Sequence, residues 1–216
     1  MAQKEEFKTR AVIKKVRLSY CNLLEPTSFS NEEPRYRTDI IIPKNDTKNI
    51  DAVKFAINEA IRKAQQNGKP LAGEDLKKAK ATGKWHSALK DGDVERTDDE
   101  AYKNSYFLSA WKASKDGQPD IIDLTGKHIT KDTPDANEKI YSGCYVTISV
   151  NFFGYENRGN MGTGSSIGNV LTFEKGEKLG GKIEATSEFA DDIKEAQDEA
   201  SLPDDSAVDA SDDDLL

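Results

Sequence analysis

Residues 143–155 constrain the fold more than any other part of the sequence, because apolar and polar residues alternate there with a period of two. That period is typical of a β-strand with one buried face. The face predicted to enter a core carries Cys144, Val146, Ile148, Val150 and Phe152. The other face carries Tyr145, Thr147, Ser149, Asn151, Phe153 and Tyr155. Such a mixture of small polar groups and aromatic rings suits a surface that binds flat ligands.

Two other segments alternate in the same way. In residues 11–20, one predicted face carries Val12, Val16, Leu18 and Tyr20, and the other carries Lys15, Arg17 and Ser19. In residues 35–42, one face carries Tyr36, Thr38, Ile40 and Ile42, and the other carries Arg35, Arg37 and Asp39. Pro43 ends that strand because it has no N–H for the ladder. Residues 104–113 and 167–173 are predicted as further strands, and residues 118–124 as a weaker one.

One helix is clearly predicted between the second and third strands. After Asn45 and Asp46, apolar residues recur at helical spacing from Ile50 to Ala64, and Gly68 supplies a stop. A second, weaker helix is predicted over residues 74–81. Strands, then one or two inserted helices, then more strands indicate a mostly β domain, and a small closed or partly open barrel accommodates this order.

The negative charge of the chain is concentrated at its end. The total is −8, but residues 188–216 hold twelve acids and one base, a net charge of −11, so the other 187 residues carry +3. The end segment is rich in Asp, Glu, Ala and Ser, and it cannot bury enough apolar surface to offset the entropy lost on ordering. We therefore expect a mildly basic domain over residues 1–186 and a disordered acidic tail over residues 187–216.

Few residues suit catalysis or metal binding. Cys21 and Cys144 form no C-x-x-C pair and are expected as reduced, mostly buried thiols. His86 and His128 are not at metal-ligand spacing. The glycine-rich run 159–164 lacks the Lys-Ser/Thr ending of a phosphate loop and is interpreted as a flexible hairpin loop. Without a long apolar run or a secretory signal, the chain is expected to be soluble and intracellular, with no cofactor, no metal and no membrane partner.

Two acid clusters leave one enzymatic alternative open. They are Asp91-Gly92-Asp93 and Asp98-Asp99-Glu100. Paired carboxylates can hold Mg²⁺ for DNA cleavage. Both clusters lie in a polar, turn-rich stretch, where Asp and Gly are also favoured for backbone reasons. A Mg²⁺-dependent nuclease that uses the region from Asp91 to Asp99 is therefore the alternative to a binding protein.

A surface for single-stranded nucleic acid has better support, because cations and aromatic rings are interleaved repeatedly along the chain. Cations follow the phosphates and rings stack on bases, at about 1–3 kcal/mol per base. The candidate DNA-binding residues are Arg35, Tyr36, Arg37, Lys84, Trp85, Lys103, Tyr106, Trp111, Lys112, Phe153, Tyr155 and Arg158. The alternative for each ring is core packing, and for Arg35 and Arg37 it is solvation of an exposed strand. Tyr106 and its neighbour Phe107 must face opposite sides, so only one of the two is expected in the core.

The last residues of the chain form a second candidate site. Three aspartates precede two apolar residues, in the order Asp212, Asp213, Asp214, Leu215 and Leu216. An acidic tail competes with DNA phosphates for a basic groove, and salt weakens that competition. When DNA displaces the tail, its apolar tip is free to bind a basic-rimmed pocket on another protein. The alternatives are an inert solubilising tail, and an interaction module that binds no DNA.

Several motifs resemble a family of bacteriophage single-stranded-DNA-binding proteins. The segments that carry the resemblance are residues 89–93, 141–146, 151–155, 159–162, 167–170 and 176–181. The resemblance implies an OB-fold, binding of single strands in phage replication, recombination or repair, and no catalysis. The acidic tail is similar in design to those of bacterial and phage single-strand-binding proteins, but it ends in Leu215 and Leu216 where those tails end in an aromatic residue.

The sequence therefore predicts a non-catalytic, sequence-independent single-stranded-DNA-binding protein. The expected partners are single-stranded DNA and, through the tail, replication or recombination proteins, and self-association is left open. The expected location is the cytoplasm of the infected bacterial host.

Overall fold

The computed structural model describes residues 6–28, 32–180 and Lys194. The strands in this part are β1 (Arg10–Thr27), β2 (Arg35–Pro43), β3 (Trp85–His86), β4 (Leu89–Asp91), β5 (Ser105–Ala113), β6 (Ile121–Ile122), β7 (Tyr145–Asn157) and β8 (Asn160–Glu174). The α-helices are α1 (Thr47–Gln66), α2 (Gly73–Ala81), α3 (Gly92–Glu95) and α4 (Ala136–Lys139), and single 3₁₀ turns cover Glu100–Tyr102 and Ser114–Asp116. None of the helices described here is long and apolar enough to cross a membrane.

Five of the strands close into a barrel. β1 pairs with β2, β2 with β5, β5 with β8, β8 with β7, and β7 returns to β1. Every pairing in this ring is antiparallel except β5 with β8, which meet in parallel where Trp111 pairs with Ser166. This is the closed five-stranded arrangement of an OB-type fold. The predicted fold class, a mostly β barrel with inserted helices, is confirmed.

The inner face of β7 supplies much of the core. Its five predicted core residues, Cys144 just before the strand and Val146, Ile148, Val150 and Phe152 within it, are all buried. Inner residues of β1, β2, β5 and β8 pack against them, among them Ile13, Leu18, Ile40, Leu108 and Val170. Burial of an aliphatic side chain stabilises the fold by about 1.5–3 kcal/mol, so this layer holds the barrel together.

The face predicted for β1 is wrong at both of its ends. Val16 and Leu18 are buried, but Val12 and Tyr20 are exposed. Lys15 has a positive φ of 54°, and the pairing with β7 shifts register between Ile13 and Val16. An extra residue of this kind reverses the alternation on one side of a bulge. Tyr20, with φ 47°, lies within a second register shift against β2.

The predictions for β2 and α1 are confirmed. Tyr36, Thr38, Ile40 and Ile42 are buried, and β2 ends at Pro43. α1 begins after Asp46, whose side chain accepts a hydrogen bond from the Asn49 N–H and so satisfies one free donor of the first turn. The predicted stop at Gly68 is also seen, with a φ of +80° there.

The glycine-rich run 159–164 is mostly strand, so the prediction of a hairpin loop is wrong except at its first residue. β8 already begins at Asn160, and the turn is confined to Arg158 and Gly159. Within β8, glycine is needed at position 162 because β3 approaches closely: a Cβ on Gly162 would lie 2.2 Å from the His86 carbonyl oxygen. The weak strand predicted over residues 118–124 is reduced to β6.

The chain divides into two units, Met1–Gly180 and Gly181–Leu216. Of the second unit the structure describes only Lys194, so the predicted disordered tail and its site from Asp212 to Leu216 lie outside the described residues. Cys21 and Cys144 are free thiols in the first unit, and burial raises the pKa of both. Both are therefore protonated and unreactive at neutral pH.

Candidate nucleic-acid interface

The outward face of β2 and β5 gathers three of the predicted DNA-binding residues. Arg37 pairs with Trp111 across the two strands, and Arg35 pairs with the neighbouring Ala113. The Arg35 guanidinium carbon lies 4.3 Å from the centre of the Trp111 ring, within cation–π distance. Arg35, Arg37 and Trp111 are half-buried, so each is anchored in the sheet and still reaches solvent. A cation and a ring held together in this way can contact a phosphate and its base.

These residues border an open groove of about 380 Å³, called here the β2–β5 groove. It lies over the strands that correspond to the second and third strands of an OB barrel, the face with which this fold binds oligonucleotides. The groove is lined by Tyr20, Asn22, Arg35, Arg37, Thr38, Asp39, Arg96, Ser109, Ala110 and Trp111.

Arg96 also lines the groove and is not among the residues predicted to bind DNA. Its guanidinium lies 3.4 Å from the Asp39 carboxylate, and the same oxygen accepts a hydrogen bond of 2.9 Å from the Tyr102 hydroxyl. The guanidinium carbon also lies 5.3 Å from the centre of the Tyr20 ring and 5.6 Å from the centre of the Tyr102 ring. A buried acid and two rings therefore fix this cation at the groove. Its position in a loop with no periodicity gave no signal in the sequence.

Tyr20 also lines the groove and is not among the predicted residues. The period-two pattern of β1 placed it on the inner face with Leu18, whereas the second register shift turns it outward and leaves the residue 54% exposed. Tyrosine rarely adopts a positive φ, so the residue type at position 20 does not predict the register shift.

Four more predicted residues lie on or near the β7–β8 hairpin. Phe153 pairs with Gly164 and Tyr155 with Gly162, on the outward face of the two strands. The Phe153 ring covers Gly164, where a Cβ would lie 2.5 Å from the ring edge. Arg158 is exposed at the tip of the turn. The Lys84 ammonium lies beside the same turn, 3.8 Å from the position of a Cβ on Gly159.

The outer surface is continuous between the hairpin and the β2–β5 groove. Ser166 of β8 pairs with Asn151 on one side and with Trp111 on the other. Gly162, which pairs with Tyr155, is four residues from Ser166 along β8, a distance of about 13 Å at the usual rise of a strand. Rings at the two positions therefore lie on one curved face.

The other predicted residues lie elsewhere. Tyr36 is buried, and Lys112, its partner across β2 and β5, lies on that same side and donates to the Gln118 carbonyl. Trp85 pairs with Met161, so its side chain points to the face opposite Tyr155. The structure does not bring these three residues to the β2–β5 groove.

Lys103 and Tyr106 lie at the far end of β5 from Trp111. Lys103 is exposed and pairs with Glu100 at 3.6 Å. Tyr106 is half-buried against the main core, and Phe107 packs on the other face of the sheet with Ile41 and Tyr102. The two neighbouring rings face opposite sides of the sheet, as expected, and of the two only Phe107 is fully buried.

The first acid cluster serves the fold. The Lys44 ammonium lies 2.7 Å from a carboxylate oxygen of Asp91 and 2.7 Å from one of Asp93. Asp93 also accepts a hydrogen bond from the Asn104 N–H. Hydrogen bonds from Lys44 and from this amide hold the pKa of Asp93 below its usual range. In the described part of the chain, no group of three or more His, Cys, Asp or Glu residues is arranged to hold a metal ion.

Comparison with known proteins identifies the family. The model of a family described as the ssDNA-binding protein of Enterobacter phage Enc34 matches residues 9–201. The chain belongs to this family. The Enc34 family is one of binding proteins and not of enzymes, so the predictions of a phage single-stranded-DNA-binding protein and of no catalysis are confirmed. The nuclease alternative is overturned by this membership.

The chain is also similar to individual proteins. The chain is 32% identical over 192 residues to putative protein p50 of Acyrthosiphon pisum secondary endosymbiont phage 1, covering 87% of this chain and 95% of the relative. Among solved structures, it is similar to the single-stranded DNA-binding protein of bacteriophage Enc34 in complex with ssDNA, with a TM-score of 0.61, 22% identity, and coverage of 82% and 97%. The single-stranded DNA-binding protein gp2.5 of bacteriophage T7 has a TM-score of 0.50, 14% identity, and coverage of 84% and 93%. At these identities the two structures support the fold.

Proposed function

We propose that this protein coats single-stranded DNA without regard to sequence during phage replication, recombination or repair, and that the strand enters through the β2–β5 groove. The observation that carries the proposal is the pairing of Arg35 with the Trp111 ring at 4.3 Å, beside Arg37, on the binding face of an OB barrel. Single-strand binders combine a cationic groove with rings on which bases stack, and this face supplies both.

The cations and rings have separate roles. Arg35, Arg37 and Arg96 neutralise phosphates and release counterions, so affinity falls with salt. Trp111 offers its ring to a base, which is worth about 1–3 kcal/mol per base. Every base has a flat face, so stacking of this kind tolerates any sequence.

The strand continues from the groove toward the β7–β8 hairpin. Phe153 and Tyr155 lie along the outward face of β7, and Lys84 and Arg158 flank the turn. A DNA strand that ran along β8 from Ser166 to Gly162 would pass from Trp111 to these rings within about 13 Å. The hairpin therefore extends the contact surface beyond a single groove.

The acidic tail competes with DNA for the domain and recruits partner proteins. Its net charge of −11 over residues 188–216 opposes the +3 of the remaining chain, so it competes with phosphates for the basic groove. Deletion of the tail should tighten DNA binding, most strongly at low salt. The end from Asp212 to Leu216 would then recruit replication or recombination proteins in the cytoplasm of the infected cell.

The proposal is tested by titrating intrinsic tryptophan fluorescence with oligo-dT, without Mg²⁺, at several salt concentrations. We expect saturable quenching, a Kd that rises with salt, and, for Arg35→Gln, weaker binding with a log–log salt slope smaller by about 0.7. Lys103→Gln is the matched control, because Lys103 is an exposed cation at the far end of β5. Equal losses for both variants would mean that only overall charge matters. No binding by the wild-type chain would overturn the proposed function.

A further inference from the structure

We propose that Leu179 is a positioning residue for DNA binding: it holds Arg96 at the β2–β5 groove without lining that groove itself. The inference rests on the proposed function, in which Arg96 neutralises a phosphate. Leu179 lies in the strap, defined here as residues 175–180, which follows β8 and ends the first unit of the chain. Docking of the strap on the barrel therefore controls how well the groove is prepared for DNA.

The main chain of the strap is fastened to the barrel by hydrogen bonds. The Tyr141 hydroxyl donates to the Gly176 carbonyl at 2.8 Å and accepts from the Gly176 N–H at 3.0 Å. The Leu179 N–H donates to the Ser142 carbonyl at 2.7 Å. These bonds fix the path of the strap and direct Leu179 to one place on the outer surface.

Leu179 packs there against the second apolar cluster of the domain, on the outward face of β2 and β5. The cluster consists of Ile41, Tyr102 and Phe107. Arg17 brings the strap to this cluster, because it pairs with Ile41 across β1 and β2 and its guanidinium donates to the Glu177 carbonyl at 2.7 Å. Leu179 is the only large apolar residue of the strap, so this contact supplies the hydrophobic part of its docking.

The cluster links Leu179 to the groove through two short contacts. The Tyr102 hydroxyl donates to the Asp39 carboxylate at 2.9 Å, and the Arg96 guanidinium lies 3.4 Å from the same oxygen. The guanidinium carbon of Arg96 also lies 5.6 Å from the ring centres of both Tyr102 and Phe107. A shift of these rings therefore moves the cation, and a less ordered cation loses more entropy when it meets a phosphate.

The strap is suited to local opening. Residues 175–180 form no helix or strand, and their one large apolar side chain is only half-buried, as is typical of segments that open without global unfolding. Coupling between two sites is reciprocal. DNA that engages Arg96 should therefore hold the strap against the barrel, although Leu179 does not line the groove.

The test is a double-mutant cycle on oligo-dT affinity, with Leu179→Ala and Arg96→Gln made singly and together. We expect Arg96→Gln to raise the Kd up to about fivefold and to lower the log–log salt slope by about 0.7, the loss of one phosphate contact. Leu179→Ala should change both quantities in the same direction, and by no more than Arg96→Gln does. In the Arg96→Gln background it should have no further effect on the Kd, because the cation that it positions is already gone.

Ile61→Ala is the matched control, because Ile61 is another half-buried aliphatic side chain, packed against the main core from α1. It should lower the urea midpoint at least as much as Leu179→Ala but leave the Kd and the salt slope unchanged. Leu179→Met keeps an apolar side chain of similar volume and should bind like wild type. If Leu179→Ala lowers the midpoint while its Kd and slope stay at wild-type values, the leucine is merely structural and the inference is overturned.

Amide hydrogen exchange gives a second readout on the wild-type chain. The Leu179 N–H, which donates to the Ser142 carbonyl, should exchange more slowly when oligo-dT is bound. In Arg96→Gln saturated with oligo-dT, this additional protection should be lost. Unchanged exchange at Leu179 in wild type, or equal protection in both proteins, would contradict the coupling and overturn the inference.

These outcomes separate the inference from the proposed function. If Arg35→Gln weakens oligo-dT binding but Arg96→Gln does not, the positioning role of Leu179 is overturned and the proposed function stands. If Leu179→Ala weakens binding as much in the Arg96→Gln background as in wild type, Leu179 acts by a route other than Arg96, which also overturns the inference. If wild type binds no oligonucleotide, both proposals fail.

Discussion

The buried hydrogen bond from Tyr102 to Asp39 should contribute measurably to stability. Tyr102 is fully buried, and its hydroxyl donates to Asp39 Oδ2 at 2.9 Å. Asp39 is only 6% exposed, so its carboxylate depends on this donor and on Arg96. Hydrogen bonds to charged groups are worth about 1.5–3 kcal/mol. Tyr102→Phe removes the donor and keeps the ring, including its edge-to-face contact with Phe107 at 5.0 Å between centroids.

We expect Tyr102→Phe to lower the free energy of unfolding by about 1.5–3 kcal/mol. With an m-value of about 2 kcal/mol/M in urea, the midpoint should fall by about 0.7–1.5 M at unchanged m. The matched control is Tyr106→Phe, the same deletion at a half-buried ring in β5, which should change stability by less than about 0.5 kcal/mol.

A double-mutant cycle with Asp39→Asn separates the bond from the ring. If the hydroxyl acts through the carboxylate, the two changes should couple by at least about 0.5 kcal/mol, because contacting residues are not additive. Strict additivity, or a Tyr102→Phe variant as stable as wild type, would refute the assignment of this pair as a buried charged hydrogen bond.

Three further outcomes follow from the structure. Glu32 lies 3.1 Å from the Arg37 guanidinium and would compete with a DNA phosphate for it. Glu32→Gln should therefore tighten oligo-dT binding up to about fivefold, since exposed ion pairs are worth about 0.2–1 kcal/mol. Weaker binding by this variant would contradict the competition. The lowered pKa of Asp93 contributes stability that is fully present above the ordinary pKa of about 4 and is lost as the pH falls through the lowered value. The difference in stability between wild type and Asp93→Asn should therefore be constant near pH 6 and shrink below pH 4. Acid titrations followed by circular dichroism measure this difference. Gly143 has a φ of +116°, and a Cβ there would lie 2.0 Å from the Glu177 backbone oxygen, whereas Gly117 also has a positive φ but a Cβ there would meet open space. Gly143→Ala should therefore lose clearly more stability than Gly117→Ala in urea unfolding. Equal losses would mean that the Glu177 oxygen moves away freely.

Hydrophobic periodicity predicted the faces of the strands whose own alternation is unbroken. In β7 every residue of the predicted core face is buried, and in β2 the alternation places Arg35 and Arg37 outward over the length of the strand. The same pattern already placed Tyr36 on the inner face, so its selection as a DNA contact gave too much weight to its neighbours. In the same way, Lys112 is adjacent to Trp111 in β5 and must lie on the opposite face of the sheet, so the two could not share one DNA-binding face.

The residues that sequence could not supply depend on local departures from regular structure. Lys15 and Tyr20 have positive φ, which no residue preference predicts, and each shift moves the following side chains to the other face. Arg96 reaches the groove from a loop, through a buried acid that is distant in sequence. The closing contact between Trp111 and Ser166 is likewise a long-range pairing that joins two predicted strands without a signal in either.

The groove owes its preorganisation to a second apolar cluster. Ile41, Tyr102 and Phe107 cover the outward face of β2 and β5 at the end away from Arg35. Tyr102 links that cluster to the groove, because its hydroxyl fixes Asp39, and Asp39 in turn fixes Arg96. A cation that is already ordered loses little conformational entropy when a phosphate arrives, which favours affinity without base-specific hydrogen bonds. The buried bond that stabilises this end of the sheet therefore also holds Arg96 in place at the β2–β5 groove.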